Sequence, residues 1–304
     1  MIAIVGFMSV LCIALPLAFS WRLWRLDEPT RLGWFLVFAE SVVLISLVML
    51  LGRWDIAGLW TGLALAVLAI IAALASAVRH AGRPWLSGDR GALWRSLVPT
   101  IASLGVFGAA LAYVIGGMSV RDDLRDLSFP LTGGRFVVAQ GGGIGILNHY
   151  SDHPAQRHAL DITAVNAAGL RALGLLPKSP RDYTIFGKTV LSPCEGEVIA
   201  AVDGLPDLSP PLTDRDNPAG NHVILSCNGM QVELAHLRQG SIAVSAGAAV
   251  FAGTPIGEVG NSGNSTEPHL HIHAVDGRSG RAVQVSFDGR VAVRNSQFDR
   301  MLDL

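Results

Sequence analysis

Apolar positions run almost unbroken for some twenty residues at a time in the first 120 residues, and only in short bursts after that. A helix needs about 20 apolar residues to cross a hydrocarbon core, and four stretches qualify: 2–20, 33–52, 56–78 and 97–118. Three hold no charged residue, and the second holds only Glu40. The first begins Met-Ile-Ala-Ile-Val-Gly-Phe, without the positive segment of a cleaved secretory signal, and reads as a retained helix. From about residue 127 the pattern changes to short apolar runs separated by Gly, Pro, Asn and Asp. The runs 135–139, 196–202, 222–226, 231–236, 255–259 and 269–275 predict strands. A short helix is predicted near 166–173, and the Pro- and Asp-rich stretch 203–220 reads as a long loop. The expected architecture is four transmembrane α-helices over 1–120 followed by an all-β domain over 127–304.

Composition sharpens that division. The chain is 50% hydrophobic and 15% charged, all seven Trp fall in the first hundred residues, and eight of nine His follow residue 148. A net charge of −1 gives no footing for nucleic acid. Arginines concentrate in the loops after the first helix (Arg22, Arg25, Arg31) and the third (Arg79, Arg83, Arg90, Arg95). Arg53 stands alone after the second, and Arg121 and Arg125 after the fourth are offset by Asp122, Asp123 and Asp126. The positive-inside bias therefore places both basic loops in the cytoplasm and the β domain outside, as in a multi-pass cytoplasmic-membrane protein with a periplasmic or extracytoplasmic domain. Trp21, Trp24, Trp34 and Trp54 sit at predicted span ends, where interfacial aromatics belong. Glu40 reads as a carboxylate facing a neighbouring helix rather than as an ion path, because no second ionisable residue lies within the spans. Without a CxxC pair, a cysteine zinc site is not expected, and Cys194 and Cys227 fit a disulfide or two buried thiols.

The histidines carry the chemistry. In His269-Leu270-His271-Ile272-His273 every second residue is His, so a strand would present three imidazoles on one face. His236 ends the strand 231–236, and Asp161 lies in His158-Ala159-Leu160-Asp161. Imidazole with carboxylate and an open position is the donor set of a catalytic zinc site.

The segments Ala235-His236-Leu237, Gly257-Glu258-Val259-Gly260-Asn261-Ser262-Gly263-Asn264-Ser265, Pro268-His269-Leu270-His271 and Gly220-Asn221-His222-Val223 resemble the lysostaphin-type (LytM-like) zinc peptidases that cut peptidoglycan peptides. The resemblance covers roughly residues 135–293 and implies a β-sandwich-like duplicated hybrid motif. It implies that Asp161 and His271 are zinc ligands. His236 and His269 then become the catalytic pair that deprotonates the attacking water and stabilises the oxyanion. The family's first ligand, a His four residues before the Asp, is Arg157 here. His149 in a preceding loop is the preferred substitute, and His158 is the alternative. His158 is three residues from Asp161 and would face the other side of a regular strand. The Gln156-Arg157-His158-Ala159-Leu160-Asp161 stretch is similar to a branch of the family that uses such a loop histidine. The resemblance thus implies a zinc metalloendopeptidase acting on peptidoglycan peptides at the outer face of the membrane, with cell-wall or division proteins as further candidate partners.

Three rivals are weighed against it. A catalytically inactive relative that binds and activates a cell-wall amidase would explain Arg157, but Asp161, His236, His269 and His271 are all present. A lipoyl-type carrier needs a lysine at its turn, and the chain's two lysines are Lys178 and Lys188. A phosphotransferase of similar fold works in the cytoplasm, against the arginine topology.

Overall fold

The computed structural model describes residues 2–86, 89–119 and 124–300. Arg121, Asp122 and Asp123 of the topology argument lie outside the described residues. The chain divides near residue 117 into two compact units.

The first unit contains α1 (Ile2–Arg25), α2 (Arg31–Leu51), the single turn α3 (Trp54–Ala57), α4 (Leu59–His80) and α5 (Arg90–Gly117). Four of these helices are long and apolar enough to cross a membrane. The two arginine-rich loops meet at one end of the unit, where Arg31 N–H donates to Pro84 O and Arg83 pairs with Asp27 at 2.7 Å. Buried His80 is fully engaged there. Its Nε2 accepts from Glu28 N–H at 3.0 Å, and its Nδ1–H donates to Ser76 O at 2.7 Å. Two expectations are corrected. α1 continues to Arg25, so Arg22 stays helical and pairs with Glu40 at 2.6 Å, giving that carboxylate a cationic partner. Trp54 is buried rather than interfacial, because Gly62 leaves room for its ring and Met49 O accepts its indole N–H.

The second unit contains β1 (Arg125–Leu127), β2 (Gly134–Gln140), β3 (Leu160–Val165), β4 (Thr189–Leu191), β5 (Gly196–Val202), β6 (Asn221–Cys227) and β7 (Met230–Leu237). It continues with β8 (Ala249–Val250), β9 (Pro255–Glu258), β10 (Leu270–Asp276), β11 (Ala282–Val283), β12 (Val285–Phe287), β13 (Arg290–Val291) and β14 (Gln297–Arg300). The main sheet runs β14-β2-β3-β10-β7-β6-β5-β8, with β11 on β10 and smaller sheets from β1-β12-β13 and β4-β9. One face of it carries Leu270, Ile272, Val232 and Leu234 into the core, all fully buried. Phe129 stacks on Phe298 at 4.4 Å and meets Phe287 edge-on, and each buried aromatic contributes roughly 1.5–3 kcal/mol. Cys194 and Cys227 form a disulfide, with Cα atoms 6.0 Å apart.

The predicted helix near 166–173 is a turn instead. Asn166 Oδ1 accepts Ala168 N–H and Leu170 N–H, and Gly169 adopts φ +77°, so a side chain replaces the helical bonding. The stretch between β5 and β6 is a long loop, as expected.

Candidate metal centre

Strand alternation builds the centre. Because Leu270 and Ile272 point into the core, His271 and His273 face the opposite side of β10. Register then places Asp161 of β3 and Ala235 of β7 on either side of His271. His236, one residue on, adopts a left-handed φ of 62°, and its N–H donates to Ala219 O. That turn aims a residue at the end of β7 toward the same cluster. The loops behind it are pressed together: a Cβ at Gly220 would lie 2.5 Å from the Ser262 carbonyl carbon, and one at Gly263 would lie 2.4 Å from Gly220 N. Both glycines also have positive φ, which explains their place in the two sequence motifs.

His236, His269, His271 and Asp161 converge. One nitrogen from each imidazole lies within 4.8 Å of the others. Asp161 Oδ1 is 3.0 Å from His271 Nδ1 and 3.4 Å from His269 Nε2. The second distance is an ionic contact rather than a hydrogen bond, and His269 Nε2 is buried without a hydrogen-bonding partner. Backbone carbonyls hold the other edges of two rings: His236 Nδ1–H donates to Ser262 O at 2.9 Å, and His269 Nδ1–H donates to Glu267 O at 2.8 Å. Carbonyls only accept, so both rings turn Nε2 toward the cluster. His271 Nε2 lies 3.2 Å from His273 Nδ1.

The electrostatics follow from this packing. Burial, reinforced by His269 and His271, holds His236 well below the ordinary histidine range. Burial alone would raise Asp161, but His269 and His271 outweigh it and keep the carboxyl well below the carboxylate range. Desolvation opposes protonation of His269, yet Asp161 and the Glu267 carbonyl raise it overall. Burial, with His271 and His153 nearby, pushes His273 down to about 3.

His149 lies exposed on a turn. Partial desolvation of its ring, with His269 and His271 nearby, lowers its pKa, while Asp161 raises it. It therefore reaches the cluster electrically. His158 instead lines an open cavity with Ser151 and Arg157, and its backbone precedes β3 in a turn. Tyr150 was not singled out by sequence reasoning. Its ring meets His271 edge-on at 4.8 Å, and burial with a hydrogen bond to Asp161 raises its pKa. Its only signal was adjacency to His149. Asn148 anchors this loop, its Nδ2 lying within 3.2 Å of the carbonyls of Gly142, Arg157 and Ala159. His222, whose Nδ1 bonds Gly220 O, is partly buried at the start of β6.

This donor set fits a metal ion. Tetrahedral donors about 2.1 Å from an ion stand roughly 3.4 Å apart, close to the two Asp161 distances, and the orphaned His269 Nε2 is polar and buried.

The chain is similar to several solved proteins. A zinc containing peptidase from Vibrio cholerae is 21% identical over 52% of this chain and 39% of its own length, with a TM-score of 0.34. This chain thus spans well under half of that protein. The catalytic domain of lysostaphin from Staphylococcus simulans is 21% identical over 51% of this chain and 85% of its own, with a TM-score of 0.28. The M23 metalloprotease pseudoalterin, from the deep sea, is 13% identical over 58% and 99%, with a TM-score of 0.35. No curated protein matches. The model of peptidase family M23 matches residues 182–285, a stretch that holds His236, His269 and His271 and begins after His149 and Asp161. The chain therefore carries, behind four long apolar helices, a strand-rich domain of peptidase family M23.

Proposed function

We propose that the chain is a membrane-anchored zinc metalloendopeptidase that hydrolyses peptidoglycan peptide bonds on the outer side of the membrane. The observation that carries this reading is the convergence of Asp161, His236, His269 and His271, with buried His269 Nε2 left unpartnered inside the cluster.

In this reading Asp161, His271 and His149 hold the ion, with His158 as the alternative third ligand. A zinc ion held there would supply a bound water acidified to a pKa of about 7 and a Lewis acid for the scissile carbonyl. The chain's own residues do the rest. His236, kept neutral by burial, offers Nε2 as proton acceptor while Ser262 O fixes its tautomer. His269, held at Nδ1 by Glu267 O, presents Nε2 to the developing oxyanion. Tyr150 and His273 orient Asp161 and His271 from outside the donor set. The disulfide and the arginine loops support an oxidising, extracytoplasmic setting for this domain.

One feature favours the rival of an inactive amidase activator: Arg157 occupies the usual first-ligand position, and its side chain lines the neighbouring cavity. Metal analysis decides between them. The purified protein should hold about one zinc per chain, release muropeptides from peptidoglycan, and lose both properties as His271→Ala. A wild-type protein without zinc and without hydrolysis would establish the binding role instead.

A further inference from the structure

The sheet face that carries the metal centre continues past it. His273 is paired with Glu233, then Val275 with Gln231, and Gln231 with Ser226. Paired residues share a face, so the row from Asp161 and His271 leads directly to Gln231 and Ser226. Those two residues form part of an open cavity of about 1380 Å³. The loop that follows Asn148 spans both places: Tyr150 meets His271 and His149 packs on Tyr150, while Ser151 through Pro154 and Arg157 line the cavity. From the level of His271 to that of Val275 is four strand residues, or about 13 Å.

The cavity is cationic. Arg125, Arg157, Arg278 and Arg281 line it against Asp152 and Asp276. Asp276 is occupied by its own turn, its Oδ1 accepting Arg278 N–H, Ser279 N–H and the Ser279 hydroxyl. Elsewhere in the unit, Arg135, Arg171, Arg238 and Arg300 each pair with a carboxylate. Among the described residues, no close ion pair or side-chain hydrogen bond engages the guanidiniums of these four arginines, although Arg278 is near enough to Asp276 to help hold that carboxyl below the carboxylate range. Four arginines grouped in one concavity against two carboxylates, with none of their guanidiniums locked in a close ion pair, match the recognition of planar oxyanions.

The geometry points to a substrate subsite for carboxylate groups, which holds an acidic part of the peptide about four extended residues from the bond at the metal centre. Four residues of extended chain span about 13 Å, the same distance along the sheet. This assignment rests on the peptidase reading. The carboxylates of one peptide then fix the register of the chain across the sheet face, with Glu233 between the two places discouraging acidic residues midway.

The test uses the full chain in detergent micelles and muropeptides with carboxylates either free or converted to methylamides. Binding is measured by calorimetry on the His236→Ala protein, so that it is read without turnover. Free-acid muropeptides should bind about tenfold more tightly than the amides. Arg157→Gln, and separately the double variant Arg278→Gln with Arg281→Gln, should each remove most of that preference while leaving the binding of amides unchanged. In the otherwise wild-type chain the same changes should raise KM for free-acid substrates and leave kcat alone. Equal binding of acids and amides, or arginine variants that retain the preference, overturns the subsite. Absence of hydrolysis with the preference intact overturns the peptidase reading alone.

Discussion

Each unit holds a histidine with a ring nitrogen shut away from solvent, and the two are treated in opposite ways. In the helical unit, His80 has both ring nitrogens bonded, one to Glu28 N–H and the other to Ser76 O. In the β unit, His269 has one nitrogen bonded to Glu267 O and the other facing Asp161 without a hydrogen bond. Charges follow the same division. Glu40 and Asp55 of the helical unit are paired with Arg22 and Arg53, whereas Asp161 faces two imidazoles that converge on one point. A buried polar group with every valence filled holds a fold together, and leaving one open costs stability that only a ligand or a reaction returns.

The largest effect that tests this contrast is expected at the metal. His149→Ala should lower zinc affinity by at least about 100-fold, beyond the usual cost of losing an outer-sphere partner. His158→Phe should keep its zinc. Stoichiometry after dialysis against a weak chelator measures both, and the reverse result would move the third ligand to His158, in the turn before β3. Next in size is His236→Ala, which should retain zinc and lose about 10²–10⁴ in kcat, as expected for removing a general base. Loss of zinc in that variant would make His236 a ligand. The smallest effect is expected in the helical unit. His80→Leu should cost about 1–3 kcal/mol of stability by leaving Glu28 N–H unpaired, read as a lower melting temperature in detergent. Muropeptide release per folded molecule should be unchanged, and a loss of hydrolysis there would break the distinction between the two histidines.

The parts of this centre that were legible in the sequence are those governed by short-range periodicity. Alternation in His269-Leu270-His271-Ile272-His273 fixes which side chains share a face, and Leu270 and Ile272 are indeed in the core. The glycines at 220 and 263 stood in the motifs that carry the resemblance, but nothing local says that the two approach each other. Tyr150 was not legible, because its contact with Asp161 depends on how Asn148 pins the loop across three carbonyls. The Arg22–Glu40 pair was hidden for a similar reason. It depends on α1 running a turn past its apolar stretch, and helix ends are set by capping and packing as much as by hydropathy. The turn at 166–170 shows the converse, a helical pattern overridden by one Asn side chain.

The Cys194–Cys227 bridge gives the β unit a dependence on where it folds. The bond closes a loop 33 residues long in sequence, which on chain-entropy grounds restrains the unfolded chain by about 3–4 kcal/mol. Domains of this kind are stable by only about 5–15 kcal/mol, so the reduced chain would lack a large share of its margin. In the proposed topology, a chain still on the reducing side of the membrane would open readily at the β unit and be easily threaded or degraded. In that same topology, oxidation on the far side would then lock it, so that its maturation is coupled to delivery.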